Sequence, residues 1–224
     1  AVKTIVTTDI AAKIAEEYGV KLIEVLTGFK FIGEQIGFLE DKGQEDRYIF
    51  GFEESYGYLA GSYVRDKDAV VASMLICEMA AFYRTKGISL IQARENMYKK
   101  YGVYVHSQSS FVCEGVTGME RMKEIMSDLR TNTPKTIGGL TVTRFEDYLA
   151  STSVDTATGA KTMLTLPKSD VLTFKLTDGA SVIIRPSGTE PKIKAYYTTT
   201  GTTKAEASAL EKTISDDFAK ILGF

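Results

Sequence analysis

Ser181-Val182-Ile183-Ile184-Arg185-Pro186-Ser187-Gly188-Thr189-Glu190-Pro191-Lys192-Ile193-Lys194-Ala195-Tyr196-Tyr197 reads as two strands, 181–185 and 192–197, joined by a polar loop. A loop that runs from strand to strand is not a Walker-type phosphate loop, which feeds a helix. Its chemistry still suits a phosphate. Arg185 offers a planar fork of donors, Ser187 and Thr189 add hydroxyls, and Gly188 lets backbone N–H groups approach an anion. The same residue types also build ordinary polar hairpin turns, so residue types alone leave both readings open.

Outward from this loop, the second half of the chain is rich in hairpins. Further strands are expected at 141–145 and 171–176, and Thr177-Asp178-Gly179-Ala180 supplies a turn before the strand at 181. Thr117-Gly118-Met119-Glu120 predicts a capping box and a helix to Leu129, with Met119, Met122 and Met126 on its buried face. Thr203-Lys204-Ala205-Glu206 predicts a second box, opening a helix whose stripe is Ala207, Leu210, Ile214, Phe218 and Ile221. Residues 103–113 read as extended, with the lone His106 a packed or exposed side chain, and 151–161 as a mobile surface loop. Strands joined by hairpins beside two helices predict a small α+β domain with an antiparallel sheet.

The first half has another rhythm. Residues 2–7 form a β-branched strand, and Asp9 opens a helix with Ile10, Ile14 and Ala15 on one face, ending at Tyr18-Gly19. Strands follow at 20–26 and 47–51. Asp66 or Asp68 caps the helix Ala69–Thr85, which is apolar on nearly all sides and therefore expected to be buried. Residues 89–101 continue as a helix. Phe29, Phe31, Tyr63, Phe82 and Tyr83 are expected in the core. The alternation predicts an α/β, three-layer α/β/α domain with a mainly parallel sheet, over residues 1–104, followed by the α+β domain over 105–224. In such sheets ligands bind at the carboxyl ends of the strands, where 27–30 and 52–57 fall.

Three segments there carry chemistry. In Gly51-Phe52-Glu53-Glu54-Ser55-Tyr56-Gly57, two carboxylates and a hydroxyl could accept hydrogen bonds from sugar hydroxyls or divide acid and base work; a solvated acidic turn is the plain alternative. In Arg65-Asp66-Lys67-Asp68, Lys67 stands at the wrong end of a helix dipole, which a neighbouring acid or a bound phosphate would correct. Thr27-Gly28-Phe29-Lys30 is a turn with a hydroxyl and an amine after a strand.

Composition narrows the classes. The 224 residues are 44% hydrophobic and 25% charged, with a net charge of −2, one histidine and two cysteines. Disorder, a disulfide framework, a multi-histidine metal site and a nucleic-acid footprint are excluded by those figures. No stretch has the length of a membrane span, and a cytoplasmic location is expected.

Taken in order, Thr27-Gly28-Phe29-Lys30, Gly51 to Gly57, Arg65-Asp66-Lys67-Asp68-Ala69 and Arg185 to Pro191 resemble the α-D-phosphohexomutase superfamily, and within it the phosphoglucomutase branch. The resemblance covers essentially the whole chain. It implies most of that family's third domain, without its first helix, and all of its fourth. It further implies that Glu53 and Ser55 grip sugar hydroxyls, and that Arg185, Ser187, Gly188 and Thr189 hold a phosphate. Lys67 would assist proton transfer or stabilise charge, and Thr27, Gly28 and Lys30 would form another active-site turn. The phosphoserine and Asp-x-Asp-x-Asp loops of the family have no match: Ser-His-Asn does not occur, and 151–161 supplies only Asp155. The resemblance thus implies Mg²⁺ and glucose 1,6-bisphosphate for a longer parent with further N-terminal domains. This chain alone is expected to hold no metal and to be inactive. Phe29 and Gly57 stand at or near histidine positions of phosphomannomutases, which favours glucose phosphates. Mannose or pentose phosphates and a stand-alone phosphosugar-binding module are the alternatives.

Overall fold

The computed structural model describes residues 1–224 except Val116 and Thr189. It divides into two units, Ala1–Gly102 and Val103–Phe224.

In the first unit, β1 (Val2–Thr4) leads into α1 (Ile10–Glu17), β2 (Ile23–Val25), α2 (Phe29–Glu40), β3 (Phe50–Phe52), β4 (Tyr58–Ala60), α3 (Ala69–Thr85) and α4 (Leu90–Tyr101). The sheet order is β2-β1-β3-β4. β1 is parallel to β2 and β3, whereas β4 folds back antiparallel on β3, so the sheet is parallel with an antiparallel edge. Helix α2 lies where only a turn is expected from sequence. Its Phe29, Ile32 and Ile36 pack with Val2, Val25, Tyr48 and Leu59 into the core of this unit. Gly33 interrupts the α2 pattern for a packing reason: a Cβ there would sit 2.2 Å from the Arg65 carbonyl oxygen, so only glycine lets the 62–66 segment lie on the helix.

α3 starts where predicted, with Asp68 Oδ1 accepting from the Val70 and Val71 amides at 2.7 and 3.1 Å. Its expected burial is overturned. Val70 is 72% exposed, Met74 59% and Phe82 53%, and no residue of the helix is fully buried. The helix packs mainly along β4 and α4, and these neighbours do not cover a surface that is apolar nearly all round. Between it and Phe50, Tyr56 and Tyr58 lies an apolar groove of about 590 Å³. Tyr63 is likewise exposed, so it and Phe82 are not core residues. α4 carries the capping box of Ser89 and Gln92.

The second unit runs β5 (Val103–Val112), α5 (Gly118–Thr131), β6 (Thr136–Ile137), β7 (Leu140–Asp147), β8 (Thr152–Asp155), β9 (Lys161–Met163), β10 (Leu172–Leu176), β11 (Ser181–Pro186), β12 (Lys192–Gly201) and α6 (Lys204–Ile221). Its antiparallel sheet has the order β5-β12-β11-β10-β7-β8-β9, with β6 beside β7. Alternation places Ile193, Ala195 and Tyr197 of β12 and Val182 and Ile184 of β11 inward, against Met122, Met126 and Leu129 of α5 and Ile214 and Phe218 of α6. The Thr203–Glu206 capping box forms as predicted.

Three local expectations fail here. Thr117 makes no side-chain cap, because its φ of −89° and ψ of 6° are not the extended values that aim an N-cap oxygen over the first turn. Met119 next to it is exposed. Residues 151–161 form no loose loop; they build β8 and the start of β9, joined by a turn in which Asp155 accepts from the Ala157 and Thr158 amides and the Thr158 hydroxyl. Ser, Thr and Val in alternation suit a strand, and Asp155 supplies the side-chain acceptor that closes the turn.

Candidate functional site

Three strands of the first unit end on the same edge of the sheet, because β1, β2 and β3 run parallel. β2 delivers Thr27-Gly28, β3 delivers residues 53–57, and the segment before α3 delivers Lys67. Gly28 has φ 121° and ψ 130°, a conformation open to glycine alone, and it turns the chain straight into α2. The Thr27 hydroxyl oxygen is buried and makes no hydrogen bond. Lys30 is exposed, its ammonium 4.8 Å from the Phe31 ring centre.

The acidic turn is tightly wound. The Glu53 amide donates to the Gly57 carbonyl at 3.0 Å, and Tyr56 takes the left-handed φ of 62° with its ring in solvent. A Cβ on Gly57 would stand 2.6 Å from Glu53 Oε1, so glycine there gives the Glu53 carboxylate its place. Glu53 is buried, while Ser55 is exposed. Lys67 Nζ lies 3.6 Å from Glu53 Oε1, 3.7 Å from Asp66 Oδ1 and 5.6 Å from the Phe29 ring centre. The acids that answer its charge are therefore Glu53 and Asp66. Asp68 is occupied by the cap and by the Tyr63 hydroxyl, which donates to it. That hydrogen bond first, and the Val71 amide second, hold the Asp68 carboxyl below its ordinary range; the same bond raises the Tyr63 hydroxyl. A buried carboxylate, an adjacent ammonium and a free hydroxyl together can bind vicinal hydroxyls, accepting at Glu53 and donating from Lys67.

In the second unit, Arg185 stands near the end of β11 opposite Lys194 of β12, so two cations share one sheet face. Its Nε and Nη2 donate to the Tyr196 hydroxyl oxygen at 3.3 and 3.2 Å. The Ser187 amide donates to the Lys192 carbonyl at 2.8 Å and closes the loop, Glu190 pairs with Lys192 at 2.5 Å, and Gly188 is open to solvent. Pro191 fixes the far side: its carbonyl accepts from the Cys113 amide at 2.8 Å, and its ring lies against Gly118, where a Cβ would meet the Cys113 oxygen at 2.0 Å. Thr189 lies outside the described residues. Arg185 near the end of β11 thus stands beside Ser187 and Gly188 just after it, while Thr27, Gly28, Lys30, Glu53, Ser55 and Lys67 gather at one sheet edge of the other unit.

Sequence reasoning passed over Tyr196. The available signal is register: Arg185 opposite Lys194 puts Tyr196 one outward step along the same face. His106 lies in β5, its Nδ1 3.0 Å from the Thr198 hydroxyl. Among the described residues, no group of three or more His, Cys, Asp or Glu side chains could hold a metal ion, and Asp155 is committed to its own turn. The side chains present do not fit Mg²⁺. No helix among the described residues is long and apolar enough to cross a membrane.

The model of the phosphoglucomutase/phosphomannomutase α/β/α domain III matches residues 1–101, and that of the C-terminal domain matches 126–216. A phosphoglucomutase of Staphylococcus aureus strain bovine RF122 / ET3-1 is 39% identical over 87% of this chain, and one of strain MRSA252 is 38% identical over the same share. The chain spans 35% of the length of each. Among solved structures, the Paramecium exocytosis-sensitive phosphoprotein pp63/parafusin, a phosphoglucomutase in its open form, matches 99% of this chain and 37% of its own at a TM-score of 0.68 and 20% identity. A phosphoglucomutase/phosphomannomutase family protein of Burkholderia thailandensis matches 99% of this chain and 36% of its own at a TM-score of 0.53 and 15% identity. These two likenesses concern the fold.

Proposed function

The chain belongs to the phosphoglucomutase/phosphomannomutase family, and on that premise we propose that it is the substrate-binding part of a phosphoglucomutase, which interconverts glucose 1-phosphate and glucose 6-phosphate. The observation that carries this reading is the Glu53–Lys67 pair on the strand-end edge of the first unit, 3.6 Å apart in a turn that leaves Ser55 free. In this reading Glu53 and Ser55 accept the hydrogen bonds of the sugar hydroxyls. Lys67 donates to the oxygen nearest the reacting centre, and Thr27, Gly28 and Lys30 complete that wall. Arg185, Ser187, Gly188 and Thr189 hold the phosphate that does not react. A guanidinium already held by the Tyr196 oxygen meets that phosphate with little reordering, which preserves affinity.

The identity of the curated relatives favours glucose phosphates over mannose or pentose phosphates. Transfer itself belongs to the longer parent, with its serine loop and further domains. Mg²⁺ and glucose 1,6-bisphosphate belong there too, in the cytoplasm, because phosphoryl transfer depends on charge neutralisation that these residues do not supply. The chain alone therefore has no mutase activity in this reading.

The test is an NMR titration of the chain with glucose 1-phosphate and with glucose 6-phosphate, with Arg185→Ala as control. Shifts at residues 185–192 that vanish in the variant are expected. No shift with either ligand at millimolar concentration overturns phosphosugar binding by this chain, and turnover in a mutase assay of the chain alone overturns its inactivity.

A further inference from the structure

Beneath the acidic turn, the end of β1 is polar where a central strand is usually apolar. Lys3 and Thr4 are wholly buried, and Thr7 nearly so. The Lys3 ammonium has three donors and three acceptors in reach: the Thr7 carbonyl at 3.0 Å, Asp9 Oδ1 at 3.0 Å and Glu24 Oε1 at 2.6 Å. Glu24 is its register partner on β2. The Thr4 and Thr7 hydroxyls are 2.7 Å apart, and Thr4 Oγ1 donates to Glu54 Oε2 at 3.3 Å. A carboxylate accepts only, so the one Thr4 proton goes to Glu54 and Thr7 must donate to Thr4. The order is therefore fixed: Lys3 holds the Thr7 backbone, Thr7 holds Thr4, and Thr4 holds Glu54.

We propose that Glu54 is a positioning residue, the anchor by which the buried Lys3–Thr7–Thr4 chain holds the acidic turn, so that its neighbours Glu53 and Ser55 face the ligand while Glu54 does not. The proposal rests on the reading of that turn as the sugar site. Its geometry follows from the turn itself. Glu53 is directed to Lys67 and Glu54 to Thr4, so adjacent carboxylates take opposite directions, one toward the site and one down onto the sheet. Two acids without that anchor would repel each other in a turn with room for both to move.

The experiment compares wild type, Thr4→Val, Thr4→Ser, Glu54→Ala and Glu54→Gln by amide hydrogen exchange of the free chain, followed by binding of glucose 6-phosphate. Thr4→Val and Glu54→Ala each remove one end of the last link. Both are expected to speed exchange at residues 53–57 about tenfold, with amides of α2 and of the second unit unchanged, since a part-buried hydrogen bond to a carboxylate is worth about that factor. Thr4→Ser keeps the hydroxyl and is expected to stay near wild type, and Glu54→Gln keeps an acceptor without the charge and is expected to lie between wild type and Glu54→Ala. A merely structural role would not give that rescue confined to one turn.

Unchanged exchange at 53–57 in Glu54→Ala overturns the proposal. So does weaker glucose 6-phosphate binding in Glu54→Ala with the free turn unaltered, which would make Glu54 a ligand contact. If Thr4→Val fails to fold, Glu54→Ala and its Gln rescue decide, because that change lies at the partly exposed end of the chain. If wild type binds no sugar phosphate, the sugar-site reading falls, while the exchange comparison still decides whether Glu54 is the anchor.

Discussion

Glu53 Oε1 and Lys67 Nζ stand 3.6 Å apart, the carboxylate side chain 7% exposed and the lysine 52%. That asymmetry assigns different duties to the pair. Glu53 has exchanged water for protein and depends on Lys67 for compensation, whereas Lys67 keeps half its surface free to meet a ligand. A buried acid whose partner is removed retains an uncompensated charge, while a half-exposed base simply returns to water.

Lys67→Met is therefore expected to weaken glucose 6-phosphate binding about tenfold or more, the value of a hydrogen bond to a charged group, and also to lower the thermal melt, because Glu53 is left buried without its ammonium. Calorimetric titration and a melting curve of the same sample check both halves. Equal binding by Lys67→Met would remove Lys67 from the site, and an unchanged melt would mean that Glu53 does not depend on it for compensation.

The Arg185 guanidinium and the Tyr196 hydroxyl give a second prediction. Tyr196→Phe removes an acceptor without removing the ring, which lies 5.9 Å from the guanidinium carbon. Binding of glucose 1-phosphate is expected to fall by roughly threefold to tenfold, the range of an ordinary hydrogen bond. Arg185→Lys is expected to lose more, since an ammonium cannot reproduce the two-pronged contact. Should Tyr196→Phe bind as wild type and Arg185→Lys bind as Arg185→Ala, the fork matters and its tyrosine support does not.

Legibility divides along physical lines. The strand-end turns could be read because glycine, hydroxyls and charges cluster there against apolar runs: Thr27-Gly28 and Glu53 to Gly57 lie in loops, and Arg185 stands near the end of β11 with Ser187 and Gly188 just beyond it. Helix α2 was hidden by Gly33 and Gly37, residues that ordinarily mark breaks. Only the Arg65 carbonyl oxygen, thirty-two residues later in sequence, explains the first of them. The burial of α3 was misread because apolar composition says what a surface would gain from a cover, not whether a cover is there. Thr4, Thr7 and Lys3 carried no signal, since a lysine and two threonines in a β-branched run look like an exposed strand until the sheet closes around them.

That point about α3 yields a third prediction. Val70→Ser, Met74→Gln and Phe82→Gln, singly or together, are expected to shift stability by no more than about 0.5 kcal/mol each, because exposed positions lose little. Ile36→Ala in α2, wholly buried, is expected to cost about 2–5 kcal/mol. The triple variant should also bind less of an apolar-surface dye. If these three substitutions cost as much as Ile36→Ala, the face of α3 is covered in solution.

Asp68 supplies a pH-dependent test. Its carboxyl is held below the ordinary 3.8, first by the Tyr63 hydroxyl and then by the Val71 amide. A depressed carboxyl contributes stability above its unfolded value, and that contribution fades as pH falls through the folded value. Asp68→Ala should therefore melt at a lower temperature than wild type at pH 7. The gap should begin to close below pH 3.8 and be smallest near pH 2, where both forms lack the charge. Asp68→Asn keeps a capping oxygen without the charge, so it should lie between the two at neutral pH and track wild type in acid. Tyr63→Phe removes the leading cause alone, so it should narrow the gap at pH 7 and bring the closure to its end at a higher pH while leaving the cap in place. A gap that stays constant between pH 7 and about pH 2 would mean that Asp68 acts through packing or backbone geometry and that its charge does nothing for α3.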